Sequence, residues 1–268
     1  MYAIASTGNP HVKLARSLHE AKGRARHGAF LIEGLRLVEA AAAVRAPRLV
    51  LYTPEFAGGD ARADSLLRRI ENARAELRLV TERVMAHVSD TVAPPGIVAV
   101  VPFPDAPAPR LDGPPLDLIL DQVSDPGNAG TLLRTAAATR VGCVTSAPGT
   151  VDLYAPKTVR AGAGAHFMLA IFEARTWDEI APTLAPGTQV ILAEASAQRR
   201  SWDVDWRLPS ALIVSNEARG ASNAARNVST DRISIPLAPG VESLNAGVAG
   251  SIILYEALRQ RTTAGVTK

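Results

Sequence analysis

Cysteine is nearly absent from these 268 residues: Cys143 stands alone in an apolar run, so no disulfide can close within the chain, and the thiol reads as a small core hydrophobe. That usage points to a reducing compartment. Aromatic residues amount to only 4%, too few for the stacking platforms on which single-strand nucleic-acid binders are usually built. No uninterrupted apolar run reaches the roughly 18 residues that a membrane span needs, and the opening MYAIASTGNPHVKLAR has no apolar core of the kind a secretory signal carries. The expectation is a cytoplasmic protein with no membrane partner. The five histidines show no ligand spacing, so no metal is expected. Neither sign of charge is in large excess, the formal net charge being +3, and attraction to a polyanion must therefore come from local clustering.

What is present is ample apolar material, 47% of residues, enough for a packed core in two modest domains or one large one. One basic cluster stands out. Lys13, Arg16, Lys22, Arg24 and Arg26 face the single acid Glu20 in the first thirty residues. Such a run is either a solvated helix face or a phosphate-contacting surface. Residues 10–27 read as one basic helix. GAFLIEG, RLVLYT, LRLVTE and GIVAVV then read as strands, with LRLVEAAAAVRA and ARADSLLRRIENARAE as helices between them, a small α/β unit. From Pro102 to Pro115 six of fourteen residues are proline, which removes backbone donors and fixes φ too often for regular structure. The reading is therefore a domain at 1–104, a Pro-rich linker at 105–115 and a second domain at 116–268.

In the second domain LDLILDQV is a continuous apolar run suited to a parallel strand covered on both faces, and CVTSA, FMLAIF, QVILAEA, ALIVS and RISIPL follow as further strands. A doubly wound parallel sheet results. Ligands of such sheets lie beyond the carboxyl ends of the strands, where this chain gathers its Gly, Asn, Glu and Ser residues. In DQVSDPGNAGTLLRT, Asn128 is placed to cap a helix starting near Gly130, and Arg134 falls off the apolar stripe of Leu132, Leu133, Ala136 and Ala137. Arg134 reads either as a solvated surface residue or as a contact to an anion or ribose. Glu217 and Gly220 follow the strand ending at Ser215, where an exposed turn carboxylate is the ordinary alternative. IPLAPGVESLNAGVAGSIILYEAL leads from strand to helix, with Ser243 and Asn245 at the helix start and no wide polar face on the helix itself. That helix is expected to be buried on two sides, one of them by a partner subunit.

NxGxxxR at Asn128, Gly130 and Arg134, NExxG at Asn216, Glu217 and Gly220, and IPL with ESLN between Ile235 and Asn245 resemble, in that order, the three motifs of SpoU-type RNA ribose methyltransferases, the TrmH branch of the SPOUT class. The resemblance covers roughly residues 116–262. The N-terminal pieces GAFLIEGLRLVEAA and SDTVAPPGIVAVV are similar to the L30e-like substrate-binding domain of the ribosomal RNA members. It implies an α/β fold with a C-terminal parallel-sheet SPOUT domain, a deep trefoil knot and a small N-terminal α/β domain. It further implies S-adenosylmethionine-dependent methylation of a ribose 2′-hydroxyl in structured RNA, foremost 23S ribosomal RNA, by a homodimer whose active site draws on both subunits. The alternatives are a tRNA 2′-O-methyltransferase and a catalytically silent RNA-binding ribosome assembly factor of the same fold. Carried over by motif, Arg134, Asn128, Glu217, Ser243 and Asn245 form the catalytic set. The cofactor falls to Ala193, Ser215, Asn216, Gly220, Ile235, Leu237, Leu244 and Asn245. Lys13, Arg16, Lys22, Arg24, Arg26 and Arg160 are the expected RNA contacts.

Overall fold

The computed structural model describes residues 2–104 and 113–263, so most of the Pro-rich stretch expected at 105–115 lies outside the described residues. The chain divides into two compact units: Met1–Asp105 with Tyr154–Phe167, and Ala106–Leu153 with Met168–Lys268. Residues 154–167, which chain order alone assigned to the C-terminal domain, thus cluster with the first unit.

The first unit holds α1 (Pro10–Ser17), α2 (Ala21–His27), β1 (Ala29–Glu33), α3 (Leu35–Val44), β2 (Leu49–Tyr52), α4 (Pro54–Ala57), α5 (Ala61–Asn72), β3 (Glu76–Leu79), α6 (Glu82–Val88) and β4 (Ile97–Pro102). Its four strands lie in the order β1-β4-β2-β3, antiparallel except for the β2–β3 pair. Val12, Ala15 and Leu18 from the basic segment join Leu31, Leu49, Leu51, Met85 and Val98 in a dry core. The single helix expected over 10–27 is in fact two. Asn9 caps α1 by accepting from the His11 N–H at 2.9 Å, and Arg24 Nη1 reaches back to the carbonyls of Leu18 (2.7 Å) and His19 (2.9 Å) at the break. Those carbonyls have no helical partner once the chain turns, and a guanidinium satisfies both. Gly23 makes the sharp return possible, because a Cβ there would stand 1.9 Å from the Ser17 carbonyl oxygen.

The second unit contains β5 (Leu116–Asp121), α7 (Pro126–Ala138) and β6 (Cys143–Ser146). The chain then runs through α8 (Pro156–Gly162), which clusters with the first unit, and returns as β7 (Ala170–Phe172), α9 (Trp177–Ile180), β8 (Gln189–Ala193), β9 (Arg199–Arg200), β10 (Ser210–Ser215), α10 (Asn223–Val228), β11 (Asp231–Ser234) and α11 (Ala246–Thr263). The seven strands run β7-β6-β5-β10-β8-β11-β9, and every pair is parallel. The central β5 and β10 are buried almost throughout, as their unbroken apolar runs require. All the βα loops therefore open toward one end of the sheet.

α11 lies across α7. Gly250 permits the approach, since a Cβ at that position would meet Leu132 Cδ2 at 2.4 Å and Val214 Cγ2 at 3.0 Å, and Thr135 Oγ1 and Ser251 Oγ share a hydrogen bond of 2.8 Å across the same contact. Gly247 and Gly250 thus serve packing within the chain. The last turn is fastened by Arg261, which donates to the carbonyls of Trp206, Pro114, Pro115 and Leu208 at 2.5–3.2 Å. One side of α11 is covered in this way, while Val248, Ile252 and Tyr255 on the other are each 43–54% exposed.

Candidate functional site

Three loops at the carboxyl ends of β8, β10 and β11 enclose a cavity of about 300 Å³. Ala193, Ser215, Asn216, Gly220, Ile235, Leu237 and Leu244, all expected at the cofactor, line it together with Glu217 and Ser243. Asn245 lies outside the wall. Its Oδ1 accepts from the Val248 N–H at 3.2 Å, so it caps α11.

The loop from Ser215 to Gly220 keeps its shape through Asn216, which is only 8% exposed. Its amide nitrogen donates to the Gln122 carbonyl (3.1 Å) and to Ser124 Oγ (3.0 Å), and its oxygen accepts from the N–H groups of Ala218 (2.9 Å) and Arg219 (3.0 Å). Two donors and two acceptor sites are the whole capacity of a carboxamide. Any contact from Asn216 to a ligand must therefore come from its main chain. Gln122 itself holds a positive φ of 59°, uncommon without a glycine, and its carbonyl is fixed by this bond.

Glu217, next in the chain, ties two helix starts together. Its Oε1 accepts from the Ala246 N–H (3.1 Å) at the beginning of α11 and from the Asn128 side chain in the first turn of α7. A carboxylate belongs at these positive helix ends, where backbone donors lack partners. Asn128 is not the cap that the sequence suggested. Asp125 caps α7 by accepting from the Asn128 N–H at 2.8 Å, so the helix begins four residues earlier than expected and the Asn128 side chain is free to meet Glu217. Ser243 lines the cavity, exposed. Arg134 points to solvent from α7, makes no hydrogen bond or ion pair among the described residues, and is not part of the cavity wall.

Two polar groups of this region escaped the sequence reading. Asp121, 1% exposed at the end of β5, accepts from the backbone N–H and the hydroxyl of Ser222 at 2.7 and 2.9 Å and so anchors the start of α10. An acid closing an apolar strand was the available signal. Glu194 lines the cavity and is held by Arg226 (2.7 Å) and Arg232 (3.4 Å).

The expected RNA contacts divide. Lys13, Arg16, Lys22 and Arg26 are exposed and make no ion pair among the described residues. Arg24, by contrast, is 4% exposed with its guanidinium on the Leu18 and His19 carbonyls, so it serves the fold. Arg160 is also taken: it donates to Glu33 Oε1 at 3.0 Å and Asp90 Oδ2 at 2.9 Å. Nearby, burial pushes the His19 imidazole below its ordinary value, while its Nε2 meets the Val88 carbonyl at 2.7 Å. Among the described residues no group of three or more His, Cys, Asp or Glu could hold a metal ion, and no helix is long and apolar enough to cross a membrane.

An all-parallel sheet whose last loops enclose a cavity beside a helix start tied by Asn128 and Glu217 defines a doubly wound α/β protein with a ligand site at its strand ends, joined to a separate α/β unit. The chain belongs to the SpoU rRNA methylase family, whose profile matches residues 115–255. A second profile, that of the MRM3-like substrate binding domain, matches residues 9–99. The chain is 34% identical over 267 residues to an uncharacterized tRNA/rRNA methyltransferase of Synechocystis, covering 98% of this chain and 95% of that one. It is 30% identical over 255 residues to the 23S rRNA (guanosine(2553)-2′-O)-methyltransferase RlmP of Bacillus subtilis, covering 95% of this chain and 98% of the other. The crystal structure of the SpoU methyltransferase AviRb from Streptomyces viridochromogenes, in complex with the cofactor AdoMet, superposes with a TM-score of 0.80 at 29% identity, over 95% of this chain and all of that one.

Proposed function

We propose that this chain methylates a ribose 2′-hydroxyl of 23S ribosomal RNA with S-adenosylmethionine, acting in the cytoplasm as a homodimer. Residues 1–104 engage the RNA and residues 116–268, with the deep trefoil knot of the class, carry out the transfer. The observation that carries the reading is the cavity: about 300 Å³, largely apolar, and walled by loops in which Asn216 and Glu217 are spent on holding the backbone. Such a site suits a nucleoside-sized ligand recognised by main-chain N–H and C=O groups. Ala193, Ser215, Gly220, Ile235, Leu237 and Leu244 would hold S-adenosylmethionine there, and it supplies a methyl on a positively charged sulfur, already electrophilic.

The work left to the protein is on the nucleophile. A ribose hydroxyl must be held in line with the methyl while it loses its proton. Arg134 is suited to hold it, carrying a permanent charge and five donors, but it is not suited to be the base, because guanidinium does not deprotonate in proteins. It orients the ribose and stabilises negative charge growing on the 2′-oxygen, while the proton passes to a neighbouring phosphate or water. Asn128, Glu217 and Asn245 keep the α7 and α11 starts in register with the cavity, and Ser243 stands at its wall. Arg134 is absent from the cavity wall of its own chain, and the uncovered stripe of Val248, Ile252 and Tyr255 offers a contact for a second copy. We assign Arg134 of one subunit to the cavity of the other.

The test is transfer of labelled methyl from S-adenosylmethionine to ribosomal RNA, to ribosomal particles and to transfer RNA, followed by mapping of the alkali-resistant linkage. One labelled ribose in 23S RNA is expected. Label confined to transfer RNA would keep the chemistry and overturn the substrate. Cofactor binding with no transfer to any of them would favour the silent assembly factor.

A further inference from the structure

Arg160 bridges two acids of the first unit, and its surroundings describe a device other than RNA contact. Glu33 closes β1 with a side chain only 7% exposed. Its Oε2 accepts from Ser89 Oγ at 2.5 Å and from the Asp90 N–H at 3.3 Å, and its Oε1 takes Arg160 Nη1 at 3.0 Å. The other arm of the same guanidinium, Nη2, reaches Asp90 Oδ2 at 2.9 Å. A buried carboxylate without its cation is costly, and a planar fork spans two acids as a lysine cannot. The rest of the segment is seated as firmly. Tyr154 packs on Phe30 and Phe103 with ring centroids 5.0 and 4.7 Å apart, Phe167 stacks on Phe30 at 6.0 Å, and Thr158 and Val159 are buried. A Cβ on Gly164 would stand 3.6 Å from Ala40 Cβ, so the chain passes α3 in van der Waals contact.

We propose that residues 154–167 are a built-in tether of the RNA-binding unit and that Arg160 is its positioning residue, locked on Glu33 and Asp90. The chain then crosses between its two units three times, near residues 105, 153 and 167, and not once through a Pro-rich linker. Three covalent crossings, in place of one, thus join the unit that would grip RNA to the unit that would transfer the methyl. The role of RNA gripping rests on the proposed function; the seating of the tether does not.

The experiment compares wild type with Arg160→Met, Arg160→Lys and Glu33→Gln. Trypsin cleavage after Lys157, exposed on α8, and hydrogen exchange of residues 154–167 report the seating in the absence of RNA. S-adenosylmethionine binding by calorimetry reports that the fold of the second unit is intact. Methyl transfer gives KM for RNA and kcat. Arg160→Met and Glu33→Gln are expected to speed cleavage and exchange by at least tenfold, to leave cofactor affinity within twofold, and to raise KM for RNA about tenfold with a smaller change in kcat. Arg160→Lys should recover part of the KM effect through charge alone. Unchanged protection in both Arg160→Met and Glu33→Gln would overturn the tether. A raised KM with protection intact in Arg160→Met would also overturn it and return Arg160 to the RNA surface. If wild type transfers no methyl although the tether is released as described, the proposed function fails and the seating of the segment stands.

Discussion

The two units solve the same problem, how to use charged and polar side chains near a ligand, in opposite ways. In the first, Lys13, Arg16, Lys22 and Arg26 stay uncommitted at the surface while Arg24 and Arg160 are consumed by the fold. In the second, Asn128, Asn216, Glu217 and Asn245 are all spent on backbone and helix starts, and the cavity they border is lined mainly by apolar groups. Electrostatic attraction to a polyanion needs free charge and tolerates loose placement, whereas in-line methyl transfer needs fixed geometry. Arg134 is an exception to this in the second unit, exposed and without an ion pair among the described residues, and it is the residue proposed to meet the RNA.

Removing that exception should have the largest effect. Arg134→Ala is expected to lower kcat by at least about 100-fold, the scale of losing a donor at a developing oxyanion, with cofactor affinity unchanged by calorimetry. If cofactor binding falls as well in a folded protein, the separation of roles between α7 and the cavity is wrong.

Two glycines break the units separately. Gly250→Val would press on Leu132 and Val214, both nearly inaccessible, and should cost about 2 kcal/mol, the usual price of overpacking. Denaturant unfolding should show it together with weakened cofactor binding. Gly23→Ala pushes against the Ser17 carbonyl and should destabilise the α1–α2 junction, raising exchange there while cofactor affinity holds.

A sharper comparison pairs neighbours of like charge. Lys22→Met should weaken RNA binding evenly across sequences and reduce the salt slope by about one. Arg24→Met should leave the salt slope nearly untouched and lower stability, because it strands two carbonyls. Equal salt effects would erase the distinction drawn between exposed and consumed cations.

The smallest effect is in pH. Burial lowers the folded pKa of His19 beneath its unfolded value of about 6.5. Below that point the unfolded chain binds the proton more readily, so the contribution of neutral His19 is present above pH about 6.5 and is lost as pH falls through the interval beneath it. Unfolding midpoints at pH 7.5 and 5.5 should therefore differ more in wild type than in His19→Gln.

Much of this architecture was legible before any coordinates. The unbroken apolar runs of β5 and β10 announce a parallel sheet, and two of the three ordered motifs fall on the loops after β10 and β11 that help to enclose the cavity, whereas the first, after β5, lies outside its wall. What stayed hidden has a common cause in long-range pairing. Arg160 meets Glu33 and Asp90, 127 and 70 residues away, and no periodicity encodes such contacts. The break between α1 and α2 depends on a guanidinium folding back on carbonyls five and six residues earlier. β9 is two exposed arginines without apolar signal. At α7 the error was local: Asp125 and Asn128 are both good caps, and Pro126, fit for the first helical turn, decides for Asp125.

The saturated carboxamide of Asn216 has a consequence for anyone reshaping this enzyme. With all four of its bonds directed inward, Asn216 can take part in ligand discrimination only through the path of the chain and not through its side-chain chemistry. Truncating wall residues one at a time would therefore understate the loop's share in recognition. Altered selectivity for the methyl donor would come more readily from inserting or deleting a residue between Ser215 and Gly220, or from exchanging the whole loop, than from point substitution.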